Sequence, residues 1–189
     1  MDYTRLSPSE IRDELQRIGD NARDAFGSLD ARQLNWKPDP SRWSVAQCLE
    51  HLVTADRLMT EAASRALDPA SPRTIWQRLP FLPALLGTMM VRSQAPGGTR
   101  KFVAPSTSRP ATSDISPDVL DRFVAQHRVT VEQVQRLDAA RAERTIMTSP
   151  FVGVITYSVL DGWRLMVAHD HRHIEQAQRV RTSPGFPGA

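Results

Sequence analysis

The stretch 159–180, VLDGWRLMVAHDHRHIEQAQRV, decides the fold. Its apolar residues recur at Val159, Trp163, Met166, Val167, Ile174 and Ala177, a helical period with one face turned inward. On that same face stand two histidines, His169 and His173. Four residues advance a helix by ~6 Å and rotate it by only ~40°, so both imidazoles point one way, one above the other. His171 lies between them, turned away by about 160° at ~100° per residue, and is expected to face solvent. Two histidines spaced i, i+4 on a buried stripe form half a metal site, and the rest of the chain has to supply the other half.

The whole chain, 189 residues, is long enough to bury a proper core and reads as a single domain over 1–189. A hydrophobic fraction of 40% with 24% charged residues suits a globular protein in water. The net charge is only +3, and lysine occurs at Lys37 and Lys101 alone. Arginines alternate with acids along the helical stretches instead of forming a basic stripe with interleaved aromatics, so no nucleic-acid partner is expected. One cysteine, Cys48, excludes an intramolecular disulfide framework. Its position on an apolar helix face favours a small buried hydrophobe over a nucleophile. The N-terminus, MDYTRLSPSE, lacks the pattern of a signal peptide. The most apolar stretch, 75–91, carries Arg78, Pro80 and Pro83 and is too broken to span a bilayer. A cytoplasmic protein with no membrane partner is the expectation.

Ahead of the deciding stretch, Ser7-Pro8-Ser9-Glu10 opens a first helix with a serine cap, proline at its first position and a glutamate reaching back. Ile11, Leu15, Ile18, Ala22 and Phe26 carry its period to about residues 27–29. The loop LNWKPDPSRW follows, and its tryptophans, Trp36 and Trp43, read as plugs for one end of the bundle more readily than as substrate contacts. Ser44 and Gln47 form the next capping box, for a helix running to about Leu67. From Pro69 to Ser116, seven prolines and Gly97-Gly98 break any long helix; a short one is expected within 82–91. So long a connection is uncommon and lets the next helix run parallel to the second. Ser116-Pro117 is expected to cap a third helix ending near 140–143, with His127 on its apolar face as a core or supporting histidine. An apolar loop over 148–156 precedes Ser158, read with Asp161 as the cap of the last helix; the tail TSPGFPGA is expected to fray.

Four amphipathic helices with one long crossover define an all-α, four-helix-bundle fold. His51, at the edge of the second helix's inward stripe of Val45, Cys48, Leu52, Ala55 and Met59, completes a set with His169 and His173. Three neutral imidazoles suit zinc or nickel, with iron, manganese or copper as alternatives. Three protein ligands leave a position for water or substrate, as in catalytic rather than structural sites. Binding is expected to weaken below about pH 6.5, where free imidazole protonates. The competing reading is three ordinary core and surface histidines. Asp170 also falls on the inward face and needs a partner, either a ligand histidine or an arginine across the bundle. Gln176 faces the same groove, and Glu50 is read as surface.

The segments NWKPDPSRWSVAQCLEHL, KFVAPSTSRP and FVGVITYSVLDGWRLMVAHDHRHIEQ resemble, in order and spacing, the DinB-like (DinB/YfiT) superfamily, over about residues 6–180. The resemblance implies a four-helix bundle of up-down-down-up topology. It also implies a metal held by one histidine of the second helix and an H-x3-H pair of the fourth, matching His51, His169 and His173. Such proteins include transferases and isomerases that use low-molecular-weight thiols, others described as metal-dependent hydrolases, and frequent dimers. The expectation is a metal-dependent enzyme, thiol S-transferase or hydrolase, acting on a small molecule, with a homodimer as a candidate assembly. Arg92, Arg100 and Lys101 in the crossover are candidates to face a thiolate if that segment covers the site. The alternative is a non-catalytic bundle working through the apolar segment 76–91 as an interface.

Overall fold

The computed structural model describes residues 1–97, 105–110 and 114–188. Among these the chain is mostly helical. Helix α1 spans Pro8–Phe26, α2 Ala31–Asn35, α3 Val45–Leu67, α4 Leu82–Gln94, α5 Val119–Gln135, α6 Ala139–Arg144 and α7 Val159–Arg181. Two three-residue strands, β1 (Ile146–Thr148) and β2 (Thr156–Ser158), pair antiparallel with Met147 opposite Tyr157.

Local sequence chemistry sets the long helix starts. Ser7 and Glu10 close a reciprocal capping box on α1, and Ser44 with Gln47 does the same on α3. Ser158 Oγ accepts from the Asp161 backbone N–H at 3.0 Å to open α7. Long helices α3 and α7 pack together, as do α1 and α5, α3 and α5, and α1 and α7. One apolar cluster joins them, drawing Ile11 and Leu15 from α1, Leu49 and Leu52 from α3, Phe123 from α5 and Trp163 and Val167 from α7. Burial of side chains of this size contributes roughly 1.5–3 kcal/mol each, which is what holds the helices at fixed register.

Four local expectations need correction. Helix α5 begins at Val119, because Ser116 spends its carbonyl on a tight turn to the Val119 N–H (3.1 Å) instead of capping. It also ends early, at Gln135; Asp138 then caps the separate α6 by accepting from the Arg141 N–H at 2.8 Å. The stretch expected as a plain loop over 148–156 is the tip of the β1–β2 hairpin, folded by Ser149, whose N–H donates to the Ile155 carbonyl. The tail does not simply fray: Phe186 packs edge-on against Trp36, and Gln33 Nε2 donates to the Pro187 carbonyl at 3.1 Å.

Within the crossover, α4 lies on α7. The approach needs a glycine, since a Cβ on Gly87 would stand 3.1 Å from Asp161 Cβ and closer still to its carboxylate. Ser106–Ser108 forms a single 3₁₀ turn that touches α3, bringing the end of the crossover to the middle of the bundle.

Candidate metal centre

Helices α3 and α7 adjoin where each carries its histidines. Ligand atoms of His51, His169 and His173 all lie within 4.8 Å of one another. His51 Nδ1–H donates to the Ser108 carbonyl at 2.6 Å, which leaves the lone pair on Nε2 and aims it at His169. His169 Nε2 is 3.2 Å from His51 Nε2. A tetrahedral ion bonded to nitrogen at ~2.0–2.1 Å separates its donors by ~3.3–3.4 Å, so these two nitrogens already stand close to ligand spacing. The His173 ring centroid lies 4.5 Å from that of His169 and 4.7 Å from that of His51. Its Nδ1 is buried without a hydrogen-bond partner, an expensive state that a cation would relieve. The donor set and the spacing both fit a divalent metal.

Electrostatics agree with this fit. Burial lowers the pKa of all three imidazoles. His169 is carried well below its ordinary value, with His173 and His51 adding to the effect, and His173 falls to about 3. Each ring is therefore neutral near pH 7, the form that ligates metal. The group is not sealed: His51 is buried, whereas His169 and His173 are half-buried and leave one side of the cluster open to solvent. Trp43 covers part of that side, its ring 5.8 Å from His173 in a stacked arrangement and 5.0 Å from His51. Trp43 thus lies beside the candidate site, whereas Trp36 packs against the tail. Gln176 lies near His173, as its place in the groove implied, and partly opposes the lowering of that ring's pKa.

Beneath the histidines lies a second, fully buried cluster of Asp56, His127 and Asp170. His127 Nδ1–H donates to the Leu15 carbonyl and Nε2–H to Asp170 Oδ2, both at 3.0 Å. With its protons so placed, Asp56 Oδ2, 3.4 Å from Nε2, has an ionic neighbour but no hydrogen bond. Burial alone would lower the His127 pKa; the hydrogen bond to Asp170 and the charges of Asp170 and Asp56 overcome it and raise it to about 10. Burial and the nearby Asp56 push Asp170 well above the usual carboxylate range, opposed by His127. Asp170 Oδ1 lies 3.9 Å from His169 Nδ1, so the cluster abuts a candidate ligand histidine. Asp170 is thus buried and partnered as expected, and the partner is a histidine instead of an arginine. Asp56 was legible by the same logic, since it sits four residues after Leu52 on the inward stripe.

The expected exposure of His171 is corrected. It is half-buried, with Nε2 bonded to Glu14 Oε2 at 3.1 Å and its ring against Tyr3. It takes no place in the cluster of His51, His169 and His173. Cys48 is buried and its thiol is pushed up to about 12, so it is packing and not a nucleophile. Arg92 is exposed on the last turn of α4; Arg100 and Lys101 lie outside the described residues.

A mostly helical frame brings together three converging, neutral imidazoles that could hold a metal ion. Over residues 14–177 the chain matches the family model of the DinB superfamily, and it belongs to that family. No curated protein and no solved structure matches it.

Proposed function

We propose that the protein is a metal-dependent enzyme, a thiol S-transferase or hydrolase, acting on a small molecule. The supporting observation is the half-open set of His51, His169 and His173, with His51 held in its ligating tautomer by the Ser108 carbonyl. Zinc or nickel suits three imidazoles best, and such an ion supplies Lewis acidity that makes a bound thiol or water a nucleophile near neutral pH. The chain's own residues do the rest. His51, His169 and His173 hold the ion, Trp43 sets one wall of the approach, and Asp170 steadies the helix turn that carries His169. The frame is proposed as one up-down-down-up four-helix bundle in the cytoplasm, engaging no nucleic acid.

The exposed apolar side chains of α4 favour the second reading, a non-catalytic bundle that works through its surface. One experiment separates the two. Metal-loaded protein is assayed with small thiols plus electrophilic acceptors, and with esters and amides, beside His169→Ala. Turnover that His169→Ala lacks supports the enzyme; a metal-loaded, inert protein across the panel favours the module.

A further inference from the structure

Between Ile75 and Met89 the chain leaves six large apolar side chains in water. Phe81 is 88% exposed, Ile75 71% and Leu85 68%, and Trp76, Leu79 and Met89 join them. Typical monomers limit their largest apolar patch to ~300–600 Å², and one this concentrated marks a contact surface. Phe81, Leu85 and Met89 follow one another at four-residue steps, so they form a single stripe on the solvent side of α4. The opposite side is spent on the bundle through Gly87 and Val91. Phe81 is held at φ 64, a left-handed backbone that a bulky residue rarely adopts, and this projects its ring outward at the head of the helix. The hairpin tip extends the patch: Thr156 Oγ1 donates to the Trp76 carbonyl, and Val152 and Val154 beside it are exposed.

The charged residues that flank the stripe along the chain are arginines, and Asp2 is the acid that reaches one of them, Arg92. Arg78 lies three residues before Phe81 and Arg92 three after Met89, with Arg73 nearby, all exposed. Neither Arg73 nor Arg78 has an ion pair among the described residues, and no Asp or Glu occurs in the sequence between Asp68 and Asp114. A second copy is a poor occupant. Pairing two α4 stripes about a two-fold axis sets arginine against arginine whether the helices run parallel or antiparallel. A helical peptide would need a groove, whereas Phe81 stands out from the surface. What the stripe needs is an apolar medium with an anionic rim.

We propose that this face docks the protein on an anionic lipid bilayer. Phe81, Leu85, Met89 and Trp76 enter the acyl boundary while Arg73, Arg78 and Arg92 meet the headgroup phosphates. No helix of the described residues is long and apolar enough to cross a membrane, and none is required. The sequence-based expectation of no membrane partner rested on span length, which a peripheral contact does not test.

The test is co-sedimentation of the metal-loaded full chain with vesicles of phosphatidylcholine alone, or with about one third phosphatidylglycerol, at low and high salt. Analytical ultracentrifugation of the free protein runs alongside. The expected result is a monomer that binds the anionic vesicles, binds neutral ones at least ~tenfold less, and dissociates with salt. Phe81→Ser/Leu85→Ser and Arg78→Gln/Arg92→Gln should each cut binding ~tenfold, with circular dichroism and metal content unchanged. Absence of binding to anionic vesicles overturns the proposal, as does binding that neither variant reduces. A dimer dispersed by Leu85→Glu, in a protein that ignores vesicles, would assign the face to a second copy instead.

Discussion

His127 donates its Nε2 proton to Asp170 Oδ2 at 3.0 Å, immediately before the turn of α7 in which Asp170 follows the candidate ligand His169. The pair ties α5 to α7, and through the Leu15 carbonyl to α1, underneath the histidine cluster. A charge this deep is stable only while the opposite charge is present.

Replacing His127 with Gln should therefore cost ~3–5 kcal/mol near pH 6, because Asp56 and Asp170 then face each other without a cation. The sign of the pH dependence follows from the raised pKa. An unfolded His127 titrates near 6.5 and the folded one near 10, so its contribution is complete below pH 6.5 and is lost as pH climbs toward 10. Denaturant unfolding of metal-free protein at pH 6 and pH 9.5 should show the gap between wild type and variant shrinking with pH. An equal gap at both values would mean the imidazolium is not what stabilises the cluster.

His171→Ala should leave metal content unchanged, since that ring bonds Glu14 and packs on Tyr3 away from the three candidate ligands. Stability should fall by ~1–3 kcal/mol, because the buried Glu14 loses one of its two partners and keeps only Arg17. Elemental analysis beside thermal unfolding checks both halves; lost metal would put the wrong face of α7 toward the ion.

What the chain made legible in advance was local. Ser7 with Glu10 and Ser44 with Gln47 satisfy their own helix ends within four residues, so no tertiary information is needed to place α1 and α3. The inward phase of His51, His169 and His173 follows from helical periodicity for the same reason. Residues whose role depends on a distant element were hidden. Ser108 acts through its backbone carbonyl, which every residue possesses, so nothing in its identity marks it. Trp43 reaches the histidines only because α2 and the following turn fold back over α3. His171 was misread because the wheel of one helix omits Tyr3 and Glu14, which arrive from the chain's other end.

Trp43→Ala should strip the cover from His51 and His173 while leaving all three imidazoles in place. The expected phenotype is kinetic: metal content after loading stays near that of wild type, but transfer to an external chelator speeds up several-fold. A chelation rate equal to that of wild type would show that the ion leaves by another side of the cluster.

The decisive prediction concerns protons competing for the three imidazoles. Free imidazole near 6.5 would put metal release close to that pH, the expectation drawn from the ordinary titration of histidine. Here burial lowers all three, and repulsion from neighbouring histidines adds to it at His169 and His173, taking His173 to about 3 and His169 well below 6.5, so protons compete less effectively than they do for free histidine. Metal should stay bound as pH falls through 6.5 and leave only in more acidic buffer. The same lowered values make metal-free protein lose stability as pH drops below 6.5, because the unfolded chain takes up protons that the folded cluster refuses. Loaded protein should resist that loss, by mass action on the folded state. His169→Ala and His173→Ala should abolish binding, and His51→Ala, which leaves the i, i+4 pair, should weaken it severely. Elemental analysis of wild type and the three variants across pH 7.5 to 4.5 reads all of this at once. Release centred at 6.5 would show solvent-like histidines, and full metal content in His173→Ala would remove that residue from the site.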